Sequence, residues 1–170
     1  MADKKRKLTA THIIFGIYFL ILVWLVLFKL TFNFSDIQML GGDRSVNFIP
    51  FYYDSDVGRF HLKEVIMNVL VFVPFGMYLK MLGASVGKSI LIGFLCSLFF
   101  EIIQFIFAIG STDVTDLITN TLGTVLGICV YVLSLLIFRK KSLADKVINT
   151  VAAVLLSLFL LLAILLFTAN

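Results

Sequence analysis

The stretch Leu117–Phe138, LITNTLGTVLGICVYVLSLLIF, holds no charged side chain over its 22 residues, and its reading decides the fold class. A helix rises about 1.5 Å per residue, so this stretch reaches about 33 Å, enough to cross a hydrocarbon layer of roughly 30 Å in which every backbone polar group must be paired internally. Reading outward, similar apolar runs occur at Ile13 to Leu30, Val65 to Leu82, between Lys88 and Asp113 with Glu101 as the one charge, and at Val147 to Phe167. The sequence therefore predicts an all-α polytopic membrane protein, a bundle of five transmembrane helices at about 9–30, 64–82, 89–109, 115–138 and 147–168. A long loop, 31–63, separates the first two helices, and residues 1–170 are read as one domain. Composition agrees: 61% of residues are hydrophobic and 14% charged, with a mean hydropathy of +1.08, too little polar material to coat a water-soluble domain.

The 14 basic residues exceed the 10 acidic ones, but they sit in short clusters between apolar runs. That pattern sets topology and is not a nucleic-acid stripe. With the amino terminus in the cytoplasm, the inner segments hold Lys4, Lys5, Arg6, Lys7, Lys80, Lys88, Arg139, Lys140, Lys141 and Lys146, against Arg44, Arg59 and Lys63 in the outer loop. Lys29, at the outer end of the first helix, is long enough to reach water. The carboxyl terminus then lies outside. The basic start resembles a signal peptide, but no small-residue cleavage site precedes Lys29, so an uncleaved first helix is expected. Cys96 and Cys129 fall inside apolar runs and form no disulfide or zinc spacing, and no metal or cofactor is expected.

In this orientation the polar residues that interrupt the spans gather toward the outer side. Glu101 falls roughly 12 Å below the outer end of the third helix by helix rise, where a carboxylate costs a few kcal/mol unless paired, wetted or protonated. Ser97, Gln104 and Ala108 share its face. The fourth helix opens with Asp113, Asp116 and Asn120 and continues with Gly123 and Gly127 on one face, and Gly93-x3-Ser97 on the third helix likewise permits close approach. A tight hairpin of these two helices is expected to bring Glu101 and Gln104 toward Asp116 and Asn120. Such residues serve either as interhelical hydrogen-bond glue or as a site, and spacing alone leaves both open.

His61-x2-Glu64-x3-Asn68 is echoed by Asp113-x2-Asp116-x3-Asn120, each followed by a glycine, Gly76 and Gly127, at nearly the same offset. Helices two and four run in one direction, so this resembles a parallel two-helix repeat whose two mouths flank a common cavity, with Pro74 as a kink that opens it. The loop carries Phe34, Phe48, Phe51, Tyr52, Tyr53 and Phe60, residues that favour the headgroup level. Arg44 and Arg59 are its candidates for gripping a carboxylate or phosphate. Their alternative partners are Asp43, Asp54 and Asp56.

These residues resemble the VanZ-like family of bacterial membrane proteins. The likeness rests on Arg44-x2-Asn47-Phe-Ile-Pro50-Phe51, Asn68-x5-Pro74-Phe-Gly76, Glu101-x2-Gln104 and Gly110-Ser-Thr-Asp113-x2-Asp116-x3-Asn120-Thr-Leu-Gly123-x3-Gly127, in that order, over about Arg44 to Gly127. The family pattern has Arg directly after the glycine that precedes the acidic pair; this chain has Ser111, so no Arg-dependent step is carried over. The resemblance implies a protein of the bacterial cytoplasmic membrane with a role at the cell envelope, the family being named for a member associated with resistance to the lipoglycopeptide teicoplanin.

Three functions are open. The first is binding of an amphipathic ligand at the outer leaflet: a membrane lipid, a lipid-linked cell-wall precursor or a lipoglycopeptide. Arg44 and Arg59 would meet an anionic head, Asn47, Asn68, Gln104 and Asn120 would supply neutral hydrogen bonds, Glu101 and Asp116 would orient these groups or move a proton, and Asp113 is a further ligand-binding candidate. The second is an intramembrane enzyme acting on a lipid or its head group, with Glu101, Asp116 and His61 as acid and base candidates; the third is lipid transport, which rests on the repeat and on Pro74. No zinc, serine-elbow or phosphate-loop motif accompanies these residues. In a background with Cys96 and Cys129 replaced by Ala, a cysteine at position 116 is expected to react with an impermeant maleimide from the extracytoplasmic side; reaction solely from the cytosol would invert the orientation.

Overall fold

The computed structural model of the protein describes residues 2–28, 46–51, 62–109 and 112–169. Among them are five helices: α1 (Ala2–Phe28), α2 (Leu62–Met81), α3 (Val86–Phe107), α4 (Val114–Phe138) and α5 (Lys141–Ala169). Each contains a window long and apolar enough to cross a membrane. The all-α, five-span architecture read from the sequence is the one observed. Two short strands, β1 (Val46–Asn47) and β2 (Thr112–Asp113), add a parallel pair with Val46 opposite Thr112 and Asn47 opposite Asp113.

Helix ends differ from the expected spans where charge was taken as the boundary. α5 begins at Lys141, not near 147, because a helix tolerates charge outside the hydrocarbon. Lys141 pairs with Asp145 one turn on at 2.8 Å, and Arg139, at φ 53°, ends α4 just before it. α1 likewise runs back to Ala2. α3 is capped at its start by Ser85, whose hydroxyl accepts from the Lys88 amide.

The chain divides into two compact units, Met1–Ile21 with Val132–Asn170, and Leu22–Tyr131. In the first, α5 is fastened to α1 by the Asn149 amide donating to Thr11 Oγ1 at 2.8 Å, and Tyr18, Ala144 and Ile148 are its buried apolar side chains.

The second unit is held by close backbone approach. Lipid is as apolar as leucine, so helices associate there through tight contact and hydrogen bonds more than through expulsion of water. A Cβ at Gly76 would overlap the Thr124 carbonyl, and one at Gly123 or Gly127 the carbonyls of Val69 or Val73. Eight residues separate Asn68 from Gly76 on α2 and Asp116 from Thr124 on α4, so one parallel register carries both the Asn68–Asp116 hydrogen bond and the glycine contact. α3 packs antiparallel to α4: a Cβ at Gly93 would strike the Thr124 side chain, and four residues further along α3 Ser97 meets Asn120, four residues back along α4. Phe72 fills the space between α2 and α3, edge-on to Phe100 at 6.4 Å. α2 is assigned as one helix through Pro74.

Gly127→Leu is expected to cost about 1–3 kcal/mol through overpacking against α2, read as a lowered melting midpoint of the purified protein. Gly16→Leu, where nothing lies within 4 Å of the new Cβ, should leave the midpoint unchanged.

Candidate functional site: a polar clasp and the cavity beside it

α3 ends with Ala108 at φ 52° and the Ile109 amide bonded back to the Gln104 carbonyl, a left-handed stop that sends the chain back along its own helix. Thr112 and Asp113 thereby return to Glu101. The Thr112 hydroxyl donates to the Glu101 carbonyl at 3.4 Å, and the Asp113 amide donates to Glu101 Oε2 at 3.0 Å. Glu101 lies six residues before the end of α3, about 9 Å down the helix. It is 4% exposed.

From there the hydrogen bonds pass to the loop. Asp113 Oδ1 accepts from the Thr115 amide at 2.7 Å, which makes it the N-cap of α4, and Oδ2 accepts from Asn47 Nδ2 at 3.2 Å. Asn47 Oδ1 in turn accepts from the Ile49 amide, and Thr115 Oγ1 from the Phe51 amide, both at 3.0 Å. Side chains thus take up the amides of Ile49, Phe51, Asp113 and Thr115. A buried amide left unpaired costs several kcal/mol. The carboxylates of Glu101 and Asp113, together with Asn47, therefore act first as a clasp.

The remaining polar residues separate into distinct contacts. Asn68 Nδ2 donates to Asp116 Oδ1 at 2.7 Å, and Asn120 Nδ2 to Ser97 Oγ at 2.9 Å. Gln104 Nε2 reaches the Val26 carbonyl of α1 at 3.0 Å. The expected convergence of Glu101 and Gln104 on Asp116 and Asn120 is thus divided. Gln104 lies about 60° round the helix from Glu101 and one turn beyond it, so it reaches α1 while Glu101 reaches the chain just before α4. Asn68 and Asn120 occupy unlike surroundings, the first half-buried and the second fully buried. The amide oxygens of Gln104 and Asn120 have no hydrogen-bond partner among the described residues. Arg44, Arg59 and His61 lie outside the described residues, as do Ser111 and the loop aromatics Phe34, Tyr52, Tyr53 and Phe60.

Beside the Asn68–Asp116 pair is a cavity of about 190 Å³. Lys63 and Glu64 form its charged rim, and Leu25, Val26, Met67 and Val71 its apolar walls. Sequence reading took Asn68 and Asp116 as candidates but missed Lys63, Met67 and Val71, which recur every four residues on one face of α2. It also missed Thr115 and the capping role of Asp113, for which Asp113-x2-Asp116 ahead of an apolar run is the visible signal.

The fold and this one-ended polar cluster define a five-span helical membrane protein with an amphipathic cavity. A family model described as VanZ/LLP1 matches residues 15–139, a range that takes in clasp and cavity and stops short of α5. The chain is also 44% identical over 147 residues to "Protein VanZ" of Enterococcus faecium, across 85% of this chain and 87% of that protein. It belongs to the VanZ/LLP1 family. No solved structure matches it.

Glu101→Ala is expected to leave the Asp113 amide without its acceptor and to cost roughly 1–3 kcal/mol, whereas Glu101→Gln retains an oxygen acceptor and should melt close to the parent. Equal destabilisation by both would mean that charge, and not the hydrogen bond, holds the clasp.

Proposed function

We propose that this protein binds an amphipathic molecule at the extracytoplasmic leaflet and through it contributes to resistance to lipoglycopeptides such as teicoplanin. The molecule is a membrane lipid, a lipid-linked cell-wall precursor or the lipoglycopeptide itself. The observation that carries this reading is the cavity, where the charges of Lys63 and Glu64 and the polar pair Asn68 and Asp116 meet the apolar side chains of Leu25, Val26, Met67 and Val71. A site of this kind orients a polar group and shelters a hydrocarbon segment. Membership of the VanZ/LLP1 family supports the link to resistance.

Size narrows the mode of binding. Sites that enclose a drug-sized ligand measure roughly 300–1,000 Å³, so the cavity of about 190 Å³ takes one part of such a molecule, a head group or a short alkyl segment. The remainder lies along the lipid-facing helices. Arg44 and Arg59 are assigned to an anionic head from the loop. Glu101, the acid or base of an enzymatic reading, is instead engaged with the Asp113 amide, which favours binding over turnover.

Met67→Trp fills the cavity from a half-open wall. It is expected to strip the co-purifying lipid seen by native mass spectrometry and to lower the teicoplanin concentration that a susceptible host tolerates, with normal membrane expression. Undiminished lipid and undiminished tolerance would remove the proposal.

A further inference from the structure

The segment Val46–Phe51 presents an unusual combination. Its backbone is fixed by the parallel pair with Thr112 and Asp113 and by the amides of Ile49 and Phe51 donating to Asn47 and Thr115. Phe51 is held at φ 55°, a left-handed conformation rare for a bulky side chain. Yet its large apolar side chains point away from the protein: Phe48 is 79% exposed, Ile49 59% and Phe51 43%. A flexible loop would fold such groups inward, whereas this one is braced so that they stay out.

Its level relative to the helices indicates what covers it. The Asn47–Asp113 bond joins the segment to a residue whose own amide is held by Glu101, six residues below the end of α3. Above that level α3 continues with the exposed residues Ile102, Phe105, Ile106 and Phe107, a surface suited to lipid and not to water. Measured along α2, Asp116 is bonded to Asn68, six residues inside the start of that helix. The segment is therefore anchored at a level that the spanning helices themselves reach. We infer that Val46–Phe51 is a re-entrant tip that inserts Phe48, Ile49 and Phe51 into the boundary between head groups and acyl chains of the adjacent leaflet. Its partner is the lipid. A re-entrant backbone is tolerated at that depth because the clasp leaves these amides paired. Aromatic side chains favour that boundary, and the apolar area removed from water stabilises the inserted state.

The test is Phe48→Trp in the full chain, reconstituted into phosphatidylcholine vesicles, with Ile49→Trp as a second reporter. Both positions are exposed, so neither change disturbs buried packing. The single native tryptophan, Trp24, is retained, and the emission added by the new residue is read by difference. The added emission is expected to be blue-shifted, to be lost when the acyl chains are brominated near the head group, and to survive acrylamide in the aqueous phase. Added emission quenched by acrylamide and untouched by brominated lipid would overturn the inference. So would blue-shifted emission insensitive to both quenchers, which would place the tip against protein.

Discussion

A chain that leaves its helix must find partners for the amides it exposes, and here those of Asp113, Ile49 and Phe51 find side chains. The Glu101 carboxylate is where that requirement is met. It receives the Asp113 amide, and Asp113, once placed, caps α4 with one oxygen and receives Asn47 with the other. Remove Glu101 and the return of the chain after α3, the start of α4 and the seating of 46–51 all lose their common fixed point. A buried carboxylate that looks costly is thus the acceptor that makes irregular backbone tolerable, where the alternative is an orphan amide.

The glycines set the distances on which this clasp depends. Gly76, Gly123 and Gly127 bring the backbones of α2 and α4 together, and that approach lets the short side chains of Asn68 and Asp116 meet at 2.7 Å. Gly93 does the same for α3 beside Thr124, one turn from the Ser97–Asn120 bond. Between α1, α2 and α4 the packing leaves the cavity, whose polar edge is that same Asn68–Asp116 pair. Cavity and clasp are consequently two outcomes of one helix register. Within the second unit, the start of α4 contributes to both, through its N-cap Asp113 and Thr115 to the clasp and through Asp116 to the cavity.

The five spans were legible because length without charge is a strong constraint in a membrane, and Leu117–Phe138 alone states it. Helix ends were less so, since the charge pattern marks where hydrocarbon ends and not where hydrogen bonding ends; Lys141–Asp145 is helix outside the apolar run. Glu101, Asp116, Asn68 and Asn120 stood out as polar residues in apolar surroundings. Their partners did not, because choosing between Asp113 and Asp116 for Glu101, or between α1 and α4 for Gln104, requires the rotation of α3 about its axis. The pairing of Val46–Asn47 with Thr112–Asp113 spans 66 residues and two positions, too little pattern for any periodicity to reveal. Reading these polar residues as a ligand shell was natural, and the structure gives several of them structural work first.

Amide hydrogen exchange of the 46–51 and 112–116 peptides, with the protein in lipid nanodiscs, tests the clasp most directly. Slow exchange in both peptides is predicted for the parent chain, with Glu101→Ala accelerating both, including the distant 46–51 segment that reaches Glu101 only through Asn47 and Asp113. Exchange in the parent as fast as in an unstructured peptide, or a Glu101→Ala chain in which 46–51 is as protected as before, would contradict the account.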